Sequence, residues 1–320
     1  MAALGKWIDG LKADGGVSDA ALLSLEARLA AVTYWLPLAA RQLDGDIEKV
    51  HQLRVSTRRA IAALKLYRNW LPDRRARRLT KRLKQIRRAA GEARDLDVLN
   101  RRLQREFAER ADELQAVVAE RRAAVQPRIE SVAERCLKNN MLHNKIGRAL
   151  SGIRPRGEAA KRQDESFHDW AADELHQAAE RFFAAMPTGM NDLAAVHCFR
   201  LAGKRLRYTM ELLAPACGPE FREDCYPVVE KLQERLGTIN DCVTGAAYLD
   251  RWSHELEAPE QQELLHQLIE REQVQLQEAV DACRAWWTAD RADALRIALG
   301  VPAEAEEPAA EESPDHSFVG

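Results

Sequence analysis

One helical segment occurs twice along this chain with its polar residues kept, and any fold must accommodate both copies. Val50-His51-Gln52-Leu53-Arg54 precedes Arg58-Arg59, and Val196-His197-Cys198-Phe199-Arg200 precedes Lys204-Arg205. The offset, 197 − 51 = 146, also carries Gly91 onto Gly237 and Asp95 onto Asp241. An ungapped repeat over about forty residues marks two structural copies of one unit. That the kept residues are a histidine, a row of bases and an aspartate says that the unit handles something charged, an anion above all.

The composition favours helix. Ala, Leu, Glu and Arg dominate, Gly and Pro are scarce, and no segment alternates with period two. A glycine-rich start over residues 1–17 reads as loose. Ser18-Asp19 caps a helix to about Leu43, with Pro37 as a kink or break. After a turn at Asp44-Gly45-Asp46, the His51 helix runs to Trp70, where Leu71-Pro72-Asp73 stops it. A basic helix follows from about Arg74 to Ala90, then a long one from about Leu96 towards Lys138. Residues 147–164 read as a connection. The order then repeats: a helix near 165–186, the His197 helix to about Ala214, a helix over 220–236, another from about Asn240, and a last long helix to Leu299. The expectation is all-α, two antiparallel four-helix bundles related by a pseudo-twofold, with copy one at about 18–146 and copy two at about 165–302.

Charge is segregated. Between Arg54 and Arg88 there are fourteen Lys and Arg residues against one acid, Asp73. From Ala303 onward the order reverses, with six acids, no Lys and no Arg, in an Ala/Glu/Pro tail (303–320) expected to be disordered. At 100° per residue, His51, Arg54, Arg58 and Lys65 fall within about 60° of one another, bordering the apolar face of Leu53 and Leu64. His197, Arg200, Lys204 and Arg207 fall within about 80° in copy two, and Arg77, Lys81, Lys84 and Arg88 share a stripe on the next helix. A basic stripe on a single helix is usually a solvated face. Two in matching register point instead to a cleft whose like-charge repulsion a bound polyanion relieves. Arginine forks suit phosphate oxygens, lysine adds a point charge, and a protonated histidine can donate. A structural role for His51 and His197 stays equally open, and Asp95 and Asp241 are expected to cap a helix or pair with a local arginine.

His-x-x-Arg followed by paired bases, then Gly-x-x-Arg/Asn-Asp, resembles the CHAD family, the conserved histidine α-helical domain. Here the residues are His51, Arg54, Arg58 and Arg59 with Gly91-Glu92-Ala93-Arg94-Asp95. In the second half they are His197, Arg200, Lys204, Arg205 and Tyr208 with Gly237-Thr238-Ile239-Asn240-Asp241. The resemblance spans about 18–302. It implies two four-helix bundles facing a basic central channel, binding of inorganic polyphosphate, often at polyphosphate granules, and no catalysis. Lys231 and Arg235 extend the candidate surface on the helix that follows the His197 helix, although Glu230 and Glu234 stand there where copy one has Lys84 and Arg88. Binding is therefore expected to lean on copy one. No ExExK strand of a triphosphate-tunnel domain is present, so the chain reads as a stand-alone member.

Two other functions compete. Single-stranded nucleic acid needs the same positive groove plus exposed aromatic platforms, and the basic block contains only Tyr67 and Trp70. A metal-dependent phosphohydrolase needs clustered ligands, and no HD pair, no HxH, no P-loop and no GxSxG occurs. No catalytic residue, metal or cofactor is therefore expected. The six cysteines form no CxxC pair, no signal-like N-terminus precedes the first helix, and no apolar run approaches a membrane span. The cytoplasm, with association with polyphosphate granules, is the expected location, and oligomeric state is left open.

Overall fold

The computed structural model describes residues 5–41, 47–107, 111–162 and 164–302. The turn at Asp44-Gly45-Asp46 and the acidic tail lie outside the described residues. Every regular element within them is helical, with one isolated antiparallel bridge between Gly16 and Ser166. The helices are α1 (Val17–Ala40), α2 (Ile47–Leu66), α3 (Asp73–Ala89), α4 (Gly91–Phe107), α5 (Asp112–Leu137), α6 (Met141–Leu150), α7 (Phe167–Phe183), α8 (Leu193–Leu213), α9 (Tyr226–Ser253), α10 (Pro259–Trp286) and α11 (Ala289–Ala298).

Several boundaries differ from the expectation. The long helix from Leu96 to Lys138 is two helices, α4 and α5, folded back on each other. Arg122 donates to Asp97 at 2.8 Å while Arg128 pairs with Glu92, so one register falls as the other rises, which is antiparallel packing. The reverse holds in the second half, where α9 passes through Gly237 without a break. The last long helix divides into α10 and α11 at Thr288, whose hydroxyl caps α11 by accepting from the Arg291 amide at 3.3 Å. Pro37 sits in the last turn of α1, which it does not break. The expected connection begins late, because α6 runs to Leu150.

Residues 5–16 form no helix, yet they are anchored rather than loose. Ile8 is buried, the Trp7 ring meets Tyr226 edge-on at 4.7 Å, and Lys6 pairs with Glu230 at 3.0 Å. The Phe167 and His168 amides donate back to Gly15 and Ala13. This strap therefore ties the start of α7 to the start of α1.

Helices α1 to α6 pack mainly on one another, α7 to α10 likewise, and the two groups meet chiefly where α2 lies against α8. An aromatic cluster seals one part of the junction: Trp170 of α7 is stacked on Tyr67 at 5.3 Å and edge-on to Trp70. A buried pair between Arg102 of α4 and Glu272 of α10 joins them elsewhere. Close approach of α8 to α9 depends on Gly203, where a Cβ would sit 2.1 Å from the Gln233 amide nitrogen. The fold thus brings α2 and α8, the two helices that carry the His-x-x-Arg motif, side by side. No described helix is long and apolar enough to cross a membrane.

A basic seam and groove as the candidate functional site

The stripes on α2 and α8 face one another because the apolar faces beside them are buried. Val50, Leu53 and Leu64 on α2, and Val196, Phe199 and Leu206 on α8, are inaccessible to solvent or nearly so. Their flanking bases are drawn to the same seam. Arg58 lies within electrostatic reach of His51 and Arg54 on its own helix and of Arg200 and Lys204 on the other. Two of these guanidiniums, Arg58 and Arg200, have a buried Nε with no partner. Burial, with Arg200 and Arg58 alongside, brings the Lys204 ammonium down to about 8.

Acids stand here too, with Glu48 within reach of His51 and Arg94, and Asp97 within reach of Arg94. Asp241 approaches Arg200 at 3.6 Å, and Asp95 is the carboxylate nearest in effect to Arg54. Burial nevertheless holds the Asp95 carboxyl above the usual range, and Asp241 of the other copy adds to the rise. Asp95 and Asp241 therefore lie within electrostatic reach of each other, each beside an arginine. Gly91 serves this arrangement: a Cβ there would lie 3.2 Å from Nη1 of Arg54. Its counterpart Gly237 has open space around it. The histidines differ. The Nδ1–H of His197 donates to the amide oxygen Oδ1 of Asn240 at 2.9 Å. His51 is pushed below its ordinary value by burial and by Arg94.

A groove of about 620 Å³ runs between α2 and α3, lined by Lys65, Arg68, Arg77, Lys81, Lys84 and Arg88. Its single acid, Asp73, is already paired with Arg77 at 2.6 Å. Lys65 is lowered first by burial and then by Arg205, Lys84 and Arg87, and Arg87 in turn reaches Arg54. Lys65 and Arg87 thus bring the cations of the groove and of the seam within electrostatic reach of one another, in one region. Arg68, Arg87 and Arg94 belong to it although the stripes did not select them. Arg68 follows α2 in a short turn and Arg87 lies off the strict stripe, while Arg94 was visible within the Gly-x-x-Arg-Asp motif itself.

Four expected residues are placed otherwise. Arg59 makes a two-pronged contact with the buried Glu211, Nε at 2.7 Å and Nη2 at 3.2 Å. Arg207 approaches the same carboxylate at 3.7 Å and Arg28 of α1 at 3.8 Å, while the Tyr226 hydroxyl donates to it at 3.0 Å. A carboxylate inaccessible to water draws in the nearest guanidiniums, because an unpaired buried charge is far costlier than a paired one. On α9, Arg235 turns away from the seam, donating to the Ala282 carbonyl at 3.0 Å and lying over the Trp286 ring. Lys231 pairs with Glu234 at 3.0 Å on an exposed face, and Glu230 is consumed by Lys6 and Tyr226.

Among the described residues no group of three or more His, Cys, Asp or Glu side chains is arranged to hold a metal ion. The family model of the CHAD domain matches residues 23–250. The CHAD domain from the plant Ricinus communis is similar in structure, with 25% identity, a TM-score of 0.63, and coverage of 93% of this chain and 96% of that one. PptA from Streptomyces chartreusis shares the fold at 18% identity, with a TM-score of 0.60 and coverage of 85% and 99% respectively. No curated protein matches the chain.

Proposed function

The chain belongs to the CHAD domain family, a family associated with polyphosphate binding, and we propose that it binds inorganic polyphosphate in the groove and seam without acting on it chemically. One observation carries the reading. Cations run without interruption from Lys65, Lys81, Lys84 and Arg88 through Arg87 and Arg205 to Arg54, Arg58, Arg200 and Lys204. Asp73, Asp95 and Asp241 stand among them. A flexible polymer with about one charge per repeat satisfies such a track by releasing its counterions, whatever its local conformation.

The two halves support this as copies of one binding unit. Helix lengths run 24, 20, 17 with 17, 26 and 10 in the first half, and 17, 21, 28, 28 and 10 in the second. Duplication with a pseudo-twofold through the α2–α8 contact accounts for that order and for the approach of Asp95 to Asp241. Single-stranded nucleic acid is the weaker candidate, because Tyr67 and Trp70 are 0% and 3% exposed and offer bases nothing to stack on. A cytoplasmic protein that associates with polyphosphate granules follows from the same reading.

Calorimetric titration with long-chain polyphosphate at two salt concentrations, with single-stranded RNA as comparator, tests it. Tight, salt-sensitive binding that prefers polyphosphate is expected, with no phosphate released in the presence of Mg²⁺ or Mn²⁺. Equal affinity for RNA, or no binding, would refute it.

A further inference from the structure

The stripe on α3 that faces the groove accounts for only part of that helix's charge. Arg77, Lys81, Lys84 and Arg88 span eleven residues, about 16 Å at the helical rise. A second row, Arg75, Arg78 and Arg82, lies about 60–160° further round and faces the side where α3 packs on α5 and α6. Those two helices add cations of their own at the same place. Arg75 donates to the carbonyl of Arg148 at 2.7 Å. Arg82, Arg135 and Lys145 all lie within electrostatic reach of the buried Cys136 thiol. Arg154, on the loop after α6, and Arg75 act together on Arg156.

Neutralisation is missing on this flank. Among the described residues the single ion pair made by α3 is Arg77 with Asp73, on the groove side. The nearest acids on α5, Glu130 and Glu134, project about 100° or more round the helix from Arg135 and pair with none of these bases. The flank is therefore not the outer half of a salt-bridge lattice, the ordinary fate of exposed arginines on a helix. Packing α3, α5 and α6 together concentrates like charge, which costs stability unless an anion is present.

We propose that this flank of α3, with α5 and α6, is a second polyanion-binding surface that holds the part of a long polyphosphate chain overrunning the groove. The inference rests on the proposed function above and extends it. A chain longer than the groove has to leave it, and at the Arg77 end it emerges beside Arg74, Arg75 and Arg78. Wrapping round one turn of α3 keeps its phosphates against cations, whereas leaving into solvent forfeits them. Short chains fit the groove and never reach the flank, so the arrangement makes affinity depend on chain length.

The test compares a short oligophosphate with a long-chain polyphosphate on three full-length proteins. They are the parent, a flank variant (Arg78→Gln, Arg82→Gln and Lys145→Gln) and a groove variant (Lys81→Gln, Lys84→Gln and Arg88→Gln). The flank variant should bind the short chain like the parent. For the long chain it should lose affinity by on the order of tenfold, with a salt slope lower by about 2, roughly 0.7 for each cation removed. The groove variant should weaken for both lengths. Unchanged long-chain affinity and salt slope in a flank variant with parental melting would overturn the proposal. A parent that binds neither polymer would overturn the underlying polyphosphate reading along with it.

Discussion

Replacing Glu211 by Gln isolates the buried charge network at the centre of the fold. The carboxylate is 1% exposed and stands among three guanidiniums, Arg59 at 2.7 Å, Arg207 at 3.7 Å and Arg28 at 3.8 Å, with the Tyr226 hydroxyl as a fourth donor. Burial already lowers Arg28 to about 10, which shows how little water helps there. Gln keeps the shape and can accept from Arg59, but three positive charges lose the carboxylate they share, with Glu230 left within reach of Arg207. Removing one partner of a buried pair costs about 3–5 kcal/mol. With about 2.1 cal/mol/K of unfolding entropy per residue, 320 residues give roughly 1.5 °C per kcal/mol, so Tm should fall by about 4–8 °C. The assay is a thermal melt of parent, Glu211→Gln, Arg59→Met and the double variant at low salt. If the network acts through charge, the double variant should be more stable than the summed losses by about 1–3 kcal/mol, since it removes both sides of one contact. Glu211→Gln melting within about 1 °C of the parent, or strictly additive losses, would refute the reasoning.

Lys204 gives a pH prediction. Its folded value of about 8 lies below its ordinary 10.5, so the native state holds fewer protons between the two, and stability of the free protein should rise from pH 8 to 10.5. A bound polyanion favours the charged form, so affinity should fall as pH climbs through 8 and binding should take up a proton; titrations in two buffers of different ionisation enthalpy measure both, and a flat profile from pH 7 to 9.5 would count against it. Changing Lys84 and Arg88 to Gln should flatten the dependence of log affinity on log salt by about 1.4, read from titrations at four salt concentrations. Arg235→Gln, by contrast, should leave affinity for polyphosphate at the parental value while costing about 1 kcal/mol in a denaturant melt, through the lost Ala282 hydrogen bond and Trp286 contact.

Much of the molecule was legible in the chain because helices announce themselves locally. Period and charge placed α2, α3 and α8, and Leu71-Pro72-Asp73 placed the end of the His51 helix within a few residues of Leu66. What misled was punctuation. Gly237 reads as a break, yet a glycine inside a helix costs only about 1 kcal/mol, less than α9 gains by packing along α10. The stretch Ala108-Glu109-Arg110-Ala111 holds neither glycine nor proline, so nothing local in the sequence separates α4 from α5. Their antiparallel pairing is decided by burial of Leu99 and Leu103 of α4 and Leu114, Val118 and Val125 of α5, with Arg122 on Asp97 fixing the register.

The site divides along the same line. Sequence by itself determined which residues are basic, that they form stripes at helical spacing, and that one motif recurs at an offset of 146 residues, because all of these are properties of short stretches of chain. Only the tertiary structure decided which bases remain available. Arg58 and Arg59 are adjacent and equally charged, yet Arg59 is held by Glu211, 152 residues away, while Arg58 keeps a buried Nε without a partner. Tertiary packing likewise turned Arg235 onto Trp286 and set Arg87 beside Lys65 and Arg54. The physical reason is that charge belongs to a residue, whereas neutralisation belongs to a pair, and pairs distant in sequence exist only once the chain has folded.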